Sequence, residues 1–330
     1  MMNRLQLTLA LGDYDHTRDV AYGVVRPEGL EIRYLNLPVE EIFFRFIKFR
    51  EWDVSEMSFG KYVSLVSQDK CGFVGIPVFP SRVFRLSSFY VRSDGSIRSP
   101  SALAGARIGI PEWAQTAAIY TRGYIAHELG APLDSIEWVQ AGVNEPGRAD
   151  KVVLKLPAGL RYRQEPQRSL NAMLLESEID VILSARQPAA FTAGDSRVTR
   201  LFPDYRAQEE AYFRKTGVFP IMHVIAMRRE VYEANPWVAT ALFKAFEEAK
   251  ARSLRRLADI TASHAPLPWL DDYIARMRGL FGEDLWPYGI EPNRATLEAF
   301  LQYAFEQGVC HRKLTPEDLF AREVQSAVKV

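Results

Sequence analysis

Strand-length apolar runs alternate with helix-length amphipathic ones along most of this chain, and that alternation commits it to an α/β architecture. The first strand is the clearest. Leu5, Leu7, Leu9 and Leu11 alternate with Gln6, Thr8 and Ala10, and Gly12-Asp13-Tyr14-Asp15 then makes a polar turn. Further strands are expected over residues 31–35, 53–57, 73–78 and 88–91. Helices are expected after Pro38, where Ile42, Phe43, Phe46 and Ile47 share one face, and over residues 59–67.

A second unit begins after the turn-rich stretch from Ser93 to Ser101. Residues 107–110 read as a strand, 115–129 as a helix that stops at Gly130, and 136–140 and 179–183 as strands. Residues 144–167, rich in Pro, Gly and charge, read as a surface hairpin. The nearly all-apolar stretch 217–227 then leads back to the first unit. The C-terminal third turns helical, with Asn235-Pro236, Glu291-Pro292 and Thr315-Pro316 as helix openings. A length of 330 residues fits about two domains. The expected division is residues 1–92 plus 225–330 for one discontinuous lobe and 93–224 for the other. Two crossovers then form a hinge, and a ligand belongs between the lobes, at strand ends and helix N-termini.

Charge narrows the partners. Lys plus Arg and Asp plus Glu number 41 each, so no global field exists to hold a polyanion, which argues against nucleic acid. A small anion needs only a few local cations. The two cysteines, Cys71 and Cys310, lie far apart and without metal-ligand spacing, which fits buried thiols in a reducing compartment. The N-terminal strand has the wrong pattern for an export signal, and no apolar run is long enough to span a membrane. A cytoplasmic protein is predicted.

Candidate functional residues follow the strand ends. Asp13, Tyr14 and His16 lie in the turn after the first strand; His16 titrates near neutrality, while Asp13 also suits a cap. His223 stands in the apolar crossover, where burial demands a hydrogen-bond partner. Arg82 and Arg85, three residues apart, could present forked donors to carboxylates, as could Arg186 after the strand at 179–183. Ser58, Phe59 and Gly60 open a helix whose N–H groups could hold an anion. In the second unit, Glu112 could donate or accept protons, Trp113 could wall the site by stacking and Thr116 could donate a hydrogen bond. Trp269, Trp286 and Tyr288 could cover the site or pack in the core. No phosphate-binding glycine loop, nucleophile elbow or metal-spaced cluster occurs, so chemistry without cofactor or metal is expected.

The stretch from Tyr212 through Thr216-Gly217-Val218-Phe219-Pro220-Ile221-Met222-His223, continuing to Asn235-Pro236-Trp237-Val238, resembles the 4,5-dihydroxyphthalate decarboxylase family. The opening Leu11-Gly12-Asp13-Tyr14-Asp15-His16-Thr17 and the segment Ser55-Glu56-Met57-Ser58-Phe59-Gly60 do so too. The wider group is similar to type 2 periplasmic binding proteins, and Leu103 to Ile110 is similar to the segment that opens their second lobe.

The resemblance implies a two-lobed clamshell and the conversion of 4,5-dihydroxyphthalate, or a closely related hydroxylated aromatic acid, to protocatechuate and carbon dioxide in phthalate breakdown. Each carboxylate of that substrate is para to a hydroxyl. Deprotonating the hydroxyl and protonating the carboxylate-bearing carbon gives a dearomatised intermediate that loses carbon dioxide. His16 and His223 are the expected acid/base pair, with Glu112 as a substitute for either, and Arg82 the expected carboxylate clamp assisted by Arg85 or Arg186. The expected partner is a small aromatic carboxylate, with neither nucleic acid nor membrane, and with room for a homo-oligomer. The competing reading is a non-catalytic solute-binding or ligand-sensing protein for such an acid. A precursor-synthesis enzyme of the thiamine-pyrimidine type is a further rival.

Overall fold

A computed structural model describes residues 4–68 and 71–326. Its strands, in chain order, are β1 (Leu5–Ala10), β2 (Leu30–Leu35), β3 (Val54–Ser58), β4 (Phe73–Ile76), β5 (Phe89–Arg92), β6 (Arg107–Ile110), β7 (Glu137–Gly142), β8 (Arg161–Ser169), β9 (Val181–Leu183), β10 (Val198–Arg200) and β11 (His223–Arg228). They form two mixed sheets, ordered β2-β1-β3-β11-β4 and β10-β5-β9-β6-β7-β8. The α/β class and the two-sheet plan follow the sequence pattern.

Two details differ from it. β5 pairs antiparallel with β9 and β10, so the chain has entered the second sheet before Phe89, earlier than the turn-rich stretch at 93–101 suggested. The stretch 144–167 is no surface hairpin: its end belongs to β8, which runs parallel to β7 at the sheet edge. Proline and charge masked a strand that has only one neighbour to satisfy.

The helices are α1 (Arg18–Ala21), α2 (Val39–Phe49), α3 (Phe59–Val66), α4 (Thr116–His127), α5 (Leu170–Leu175), α6 (Ala189–Thr192), α7 (Tyr205–Thr216), α8 (Arg229–Ala234), α9 (Trp237–Leu257), α10 (Leu270–Phe281) and α11 (Arg294–Glu306). α2 buries Ile42, Phe43 and Phe46 at helical spacing and stops where Arg50 turns left-handed at φ 53°. α9 buries Val238, Leu242, Phe246 and Ala249. Glu291-Pro292 opens a 3₁₀ turn that runs directly into α11, as expected of a helix opening, whereas Thr315-Pro316 opens only a short 3₁₀ turn, with a capping box between Thr315 and Asp318. Among the described residues no helix is long and apolar enough to cross a membrane.

Strand direction positions the site. β1, β2 and β3 run parallel, as do β6, β7, β8 and β9. Their carboxyl ends lead into residues 12–16, 36–40, 58–61, 111–116, 143–151 and 184–188, the loops that line the crevice in such sheets. β11 is antiparallel to β3, with His223 opposite Ser58, so the first residue of β11 lies where β3 ends.

Candidate functional site

β3 is the most buried strand of the first sheet, and it carries a carboxylate. Glu56 has no exposed surface. A buried carboxylate is tolerated only when its oxygens are satisfied, and here three donors converge on it. The Gly12 N–H donates to Oε2 at 3.0 Å, the Tyr14 hydroxyl donates to Oε1 at 2.6 Å, and His223 Nδ1 lies 2.5 Å from Oε1. Tyr14 also comes within 3.4 Å of His223 Nδ1. With Nδ1 turned to Glu56, Nε2 is the nitrogen left for chemistry. The His223 side chain keeps 19% of its surface open. Phe43 meets its ring edge-on at 4.9 Å between centroids. Burial and the Glu56 charge push the Tyr14 phenol well above its usual range, so it stays a donor.

Glu56 lies within the quoted Ser55–Gly60 segment but was not among the expected site residues. Its signal was a glutamate at the centre of a strand with apolar neighbours Val54 and Met57. Such a residue must find a partner, but the partner comes from 167 residues away.

His16 takes a different position. Its ring rests 5.2 Å from Trp286, 6.2 Å from Tyr288 and 5.8 Å from Tyr14. Nε2 is buried and has no protein partner. Burial lowers its pKa to about 4, so it is neutral at pH 7. The two histidines make no direct contact; Tyr14 lies between them. Trp286 and Tyr288 thus back this part of the site, whereas Trp269 is 77% exposed.

Arg82 is a correction. It points inward and binds the Phe219 carbonyl at 3.1 Å, the Pro287 carbonyl at 2.7 Å and the Asn293 side chain, with Phe79 and Phe219 packed on the guanidinium. Burial pushes its pKa down to about 10. It ties the C-terminal segment to the hinge and is not free to clamp a carboxylate. Arg85 lies beside Met222, with Nε 3.4 Å from the sulfur, and makes no ion pair among the described residues. Trp113 is likewise a core residue rather than a stacking wall. It is fully buried, donates to the Gln307 carbonyl at 2.8 Å, and packs on Trp138, Tyr162 and Arg122. Phe59 is core too, stacked on Phe300. Asp13 is half-exposed and paired with Arg18 at 3.4 Å.

Residues from the two sheets meet at the helix starts. The Gly60 N–H donates to Thr116 Oγ1 at 2.9 Å, and Ser58 Oγ lies 3.2 Å from the same oxygen. A Cβ on Gly60 would come within 2.8 Å of the Ala114 carbonyl, so only glycine permits this approach. Glu112 has no exposed surface and is held by Lys61 at 3.1 Å, Arg148 at 2.8 Å and Lys151 at 4.0 Å. Arg148 and Arg186 both reach Glu40 at the start of α2, at 3.7 and 3.6 Å. Glu112 is therefore committed to cations, which does not suit a substitute proton carrier. Among the described residues no group of three or more His, Cys, Asp and Glu side chains could hold a metal ion.

No family model matches the chain. Two relatives do. The 4,5-dihydroxyphthalate decarboxylase of Comamonas testosteroni is 37% identical over 320 residues, covering 97% of each chain. That of Pseudomonas putida is 34% identical over 215 residues, covering 65% of this chain and 83% of its own. Among solved structures, the periplasmic aliphatic sulphonate binding protein SsuA of Escherichia coli matches with a TM-score of 0.52 at 12% identity, over 98% of this chain and 99% of its own. The ligand-binding component of an ABC-type import system from Staphylococcus aureus, with zinc bound, matches at 0.51 and 10% identity over 99% of each. At such identity these likenesses carry the fold alone: a type 2 periplasmic-binding-protein-like clamshell.

Proposed function

The chain belongs to the 4,5-dihydroxyphthalate decarboxylase family, and from that membership we propose that it converts 4,5-dihydroxyphthalate to protocatechuate and carbon dioxide, with His223 as the residue that moves the proton. The observation that carries the role of His223 is the buried Glu56 carboxylate at its Nδ1. A carboxylate there orients the ring through Nδ1 and leaves Nε2 as the atom that carries the proton to the substrate. No comparable arrangement is required to bind a solute without changing it, which favours the enzyme over the binding-protein reading.

The reaction then runs as follows. The hydroxyl para to the departing carboxylate passes its proton to the bare Nε2 of His16, which returns it when the ring regains aromaticity, and the oxygen's electrons meanwhile reach the carboxylate-bearing carbon. Nε2–H of His223 protonates that carbon, forming the new C–H bond and a ketone-like ring. The bond to the carboxylate breaks, its electron pair restores the aromatic ring, and carbon dioxide leaves. His16, neutral and with a bare buried Nε2, accepts a hydrogen bond from the phenolic hydroxyl. Tyr14 holds the Glu56 carboxylate in place by donating to it. The free, buried thiols of Cys71 and Cys310 fit a reducing compartment and support a cytoplasmic setting.

Turnover in heavy water tests the chemistry. One deuterium should appear in each protocatechuate, at the ring position vacated by the carboxylate. Product without deuterium at that carbon would exclude protonation from a solvent-exchanging group such as His223.

A further inference from the structure

The Glu112 cluster presents more positive charge than it consumes. Lys61, Arg148, Lys151 and Arg186 surround only two carboxylates, Glu112 and Glu40. Asp150, the other carboxylate near Glu112, accepts from the Trp113 N–H at 2.8 Å and from the Tyr162 hydroxyl at 2.9 Å and makes no ion pair among the described residues; its charge acts at a distance on buried Arg122, so these two enter the count as one carboxylate and one further cation. Two positive charges are left over, the complement of a dianion. Lys61 is 6% exposed, so its charge has been taken out of water at a cost that a single shared carboxylate offsets only in part. Burial and repulsion from Lys61 lower the Lys151 pKa, as expected where cations crowd.

The cluster also crosses the cleft. Lys61 and Glu40 belong to helices of the first sheet, while Glu112, Arg148, Lys151 and Arg186 lie in loops of the second. Glu40 precedes Phe43 by three residues on α2, and Phe43 touches the His223 ring. Residues three apart share a helix face, so one face of α2 joins Glu40 of the cluster to the residue that packs on His223.

We propose that Lys61, Arg148 and Lys151, with Arg186 at the rim, form the subsite for the adjacent carboxylates of an aromatic dicarboxylate, and that Glu112 occupies these cations as an internal stand-in until the ligand competes for them. This rests on the decarboxylase reading for the identity of the acid. The arrangement explains how the lobes stay drawn together without ligand. It also selects a dianion over a monoanion, so substrate is preferred to the singly charged product, which favours product release.

The test is calorimetric titration with phthalate, a dianion without hydroxyl groups to drive decarboxylation, and with benzoate as the monoanion. Wild type should bind phthalate at least ~10-fold more tightly than benzoate. Lys61→Met and Arg148→Gln should each weaken phthalate by ~10-fold or more while leaving benzoate less affected. Glu112→Gln should do the opposite and tighten phthalate several-fold, because the competitor is gone. A merely structural Glu112 would give weaker binding instead, and that result overturns the proposal. So does phthalate affinity that survives in both cation variants, or that is lost only in Arg85→Met, which would move the subsite to the hinge. Circular dichroism of each variant checks its fold; Arg148, 29% exposed at its side chain, gives the variant least dependent on core packing. Protocatechuate production by the same wild-type preparation separates the two readings. Product with the wrong binding pattern sinks the subsite alone; the right pattern without product sinks the decarboxylase reading and leaves the dianion site standing.

Discussion

Glu56 and Glu112 are both carboxylates without exposed surface, Glu56 at the centre of β3 in one sheet and Glu112 in the loop just after β6 of the other, yet their surroundings are opposite in kind. Glu56 is met by a backbone N–H, a phenol and an imidazole. Glu112 is met by a lysine and an arginine, with a second lysine at 4.0 Å. Neutral donors and a titratable ring make a proton site; fixed cations make an anion site. The identity of a buried acid therefore says little about its task until its partners are known.

The largest effect that would break this contrast lies at the proton site. His223→Ala and Glu56→Gln should each lower kcat by about 10²–10⁴-fold, the second because the ring loses the carboxylate that orients it through Nδ1. Glu112→Gln should leave kcat within about threefold and act on KM. Equal losses of kcat from both glutamates would erase the distinction.

Arg82 sharpens the comparison, since it is buried but belongs to neither site. Arg82→Met strands the Asn293 side chain and two carbonyls, and should cost about 2–4 kcal/mol of stability in denaturant titration. The folded fraction should keep its KM.

His16 gives a pH signature. Its folded pKa of about 4 lies below the ordinary 6.5, so between those values the unfolded chain binds a proton that the folded one refuses. Its contribution is complete above pH 6.5 and is lost as pH falls toward 4, by up to about 3 kcal/mol. His16→Phe should flatten this part of the stability–pH curve relative to wild type, read by chemical denaturation at several pH values. A curve of unchanged slope would mean that His16 is charged in the folded protein.

The smallest effect is at the contact between the sheets. Thr116→Val removes the acceptor for the Gly60 N–H and should cost about 1 kcal/mol of closure, seen as a KM increase of about fivefold with little change in kcat.

How much of this was legible in the sequence depended on range. The strand–helix alternation, the inner faces of α2 and α9, and the return of the chain near His223 are local patterns with fixed periods, and the structure follows them. His223 was visible because a histidine in an apolar run needs a partner. The partner was not, since Glu56 reaches it only through the antiparallel pairing of β11 with β3. Lys61, Arg148 and Lys151 were illegible for the same reason: each is an ordinary surface residue type until the two sheets meet. Arg82 misled because its position after a strand suits a ligand clamp. What occupies it is a C-terminal turn folded back from residues 287–293, which no local pattern announces.

The central claim is tested most directly by giving purified wild type and His223→Ala the same 4,5-dihydroxyphthalate and following protocatechuate by chromatography and the acid by binding. The account predicts protocatechuate and carbon dioxide in equal amounts from wild type. It predicts at least ~100-fold slower turnover from the variant, with binding retained. Wild type that binds the acid and returns it unchanged, or a variant that turns over at the wild-type rate, would contradict it.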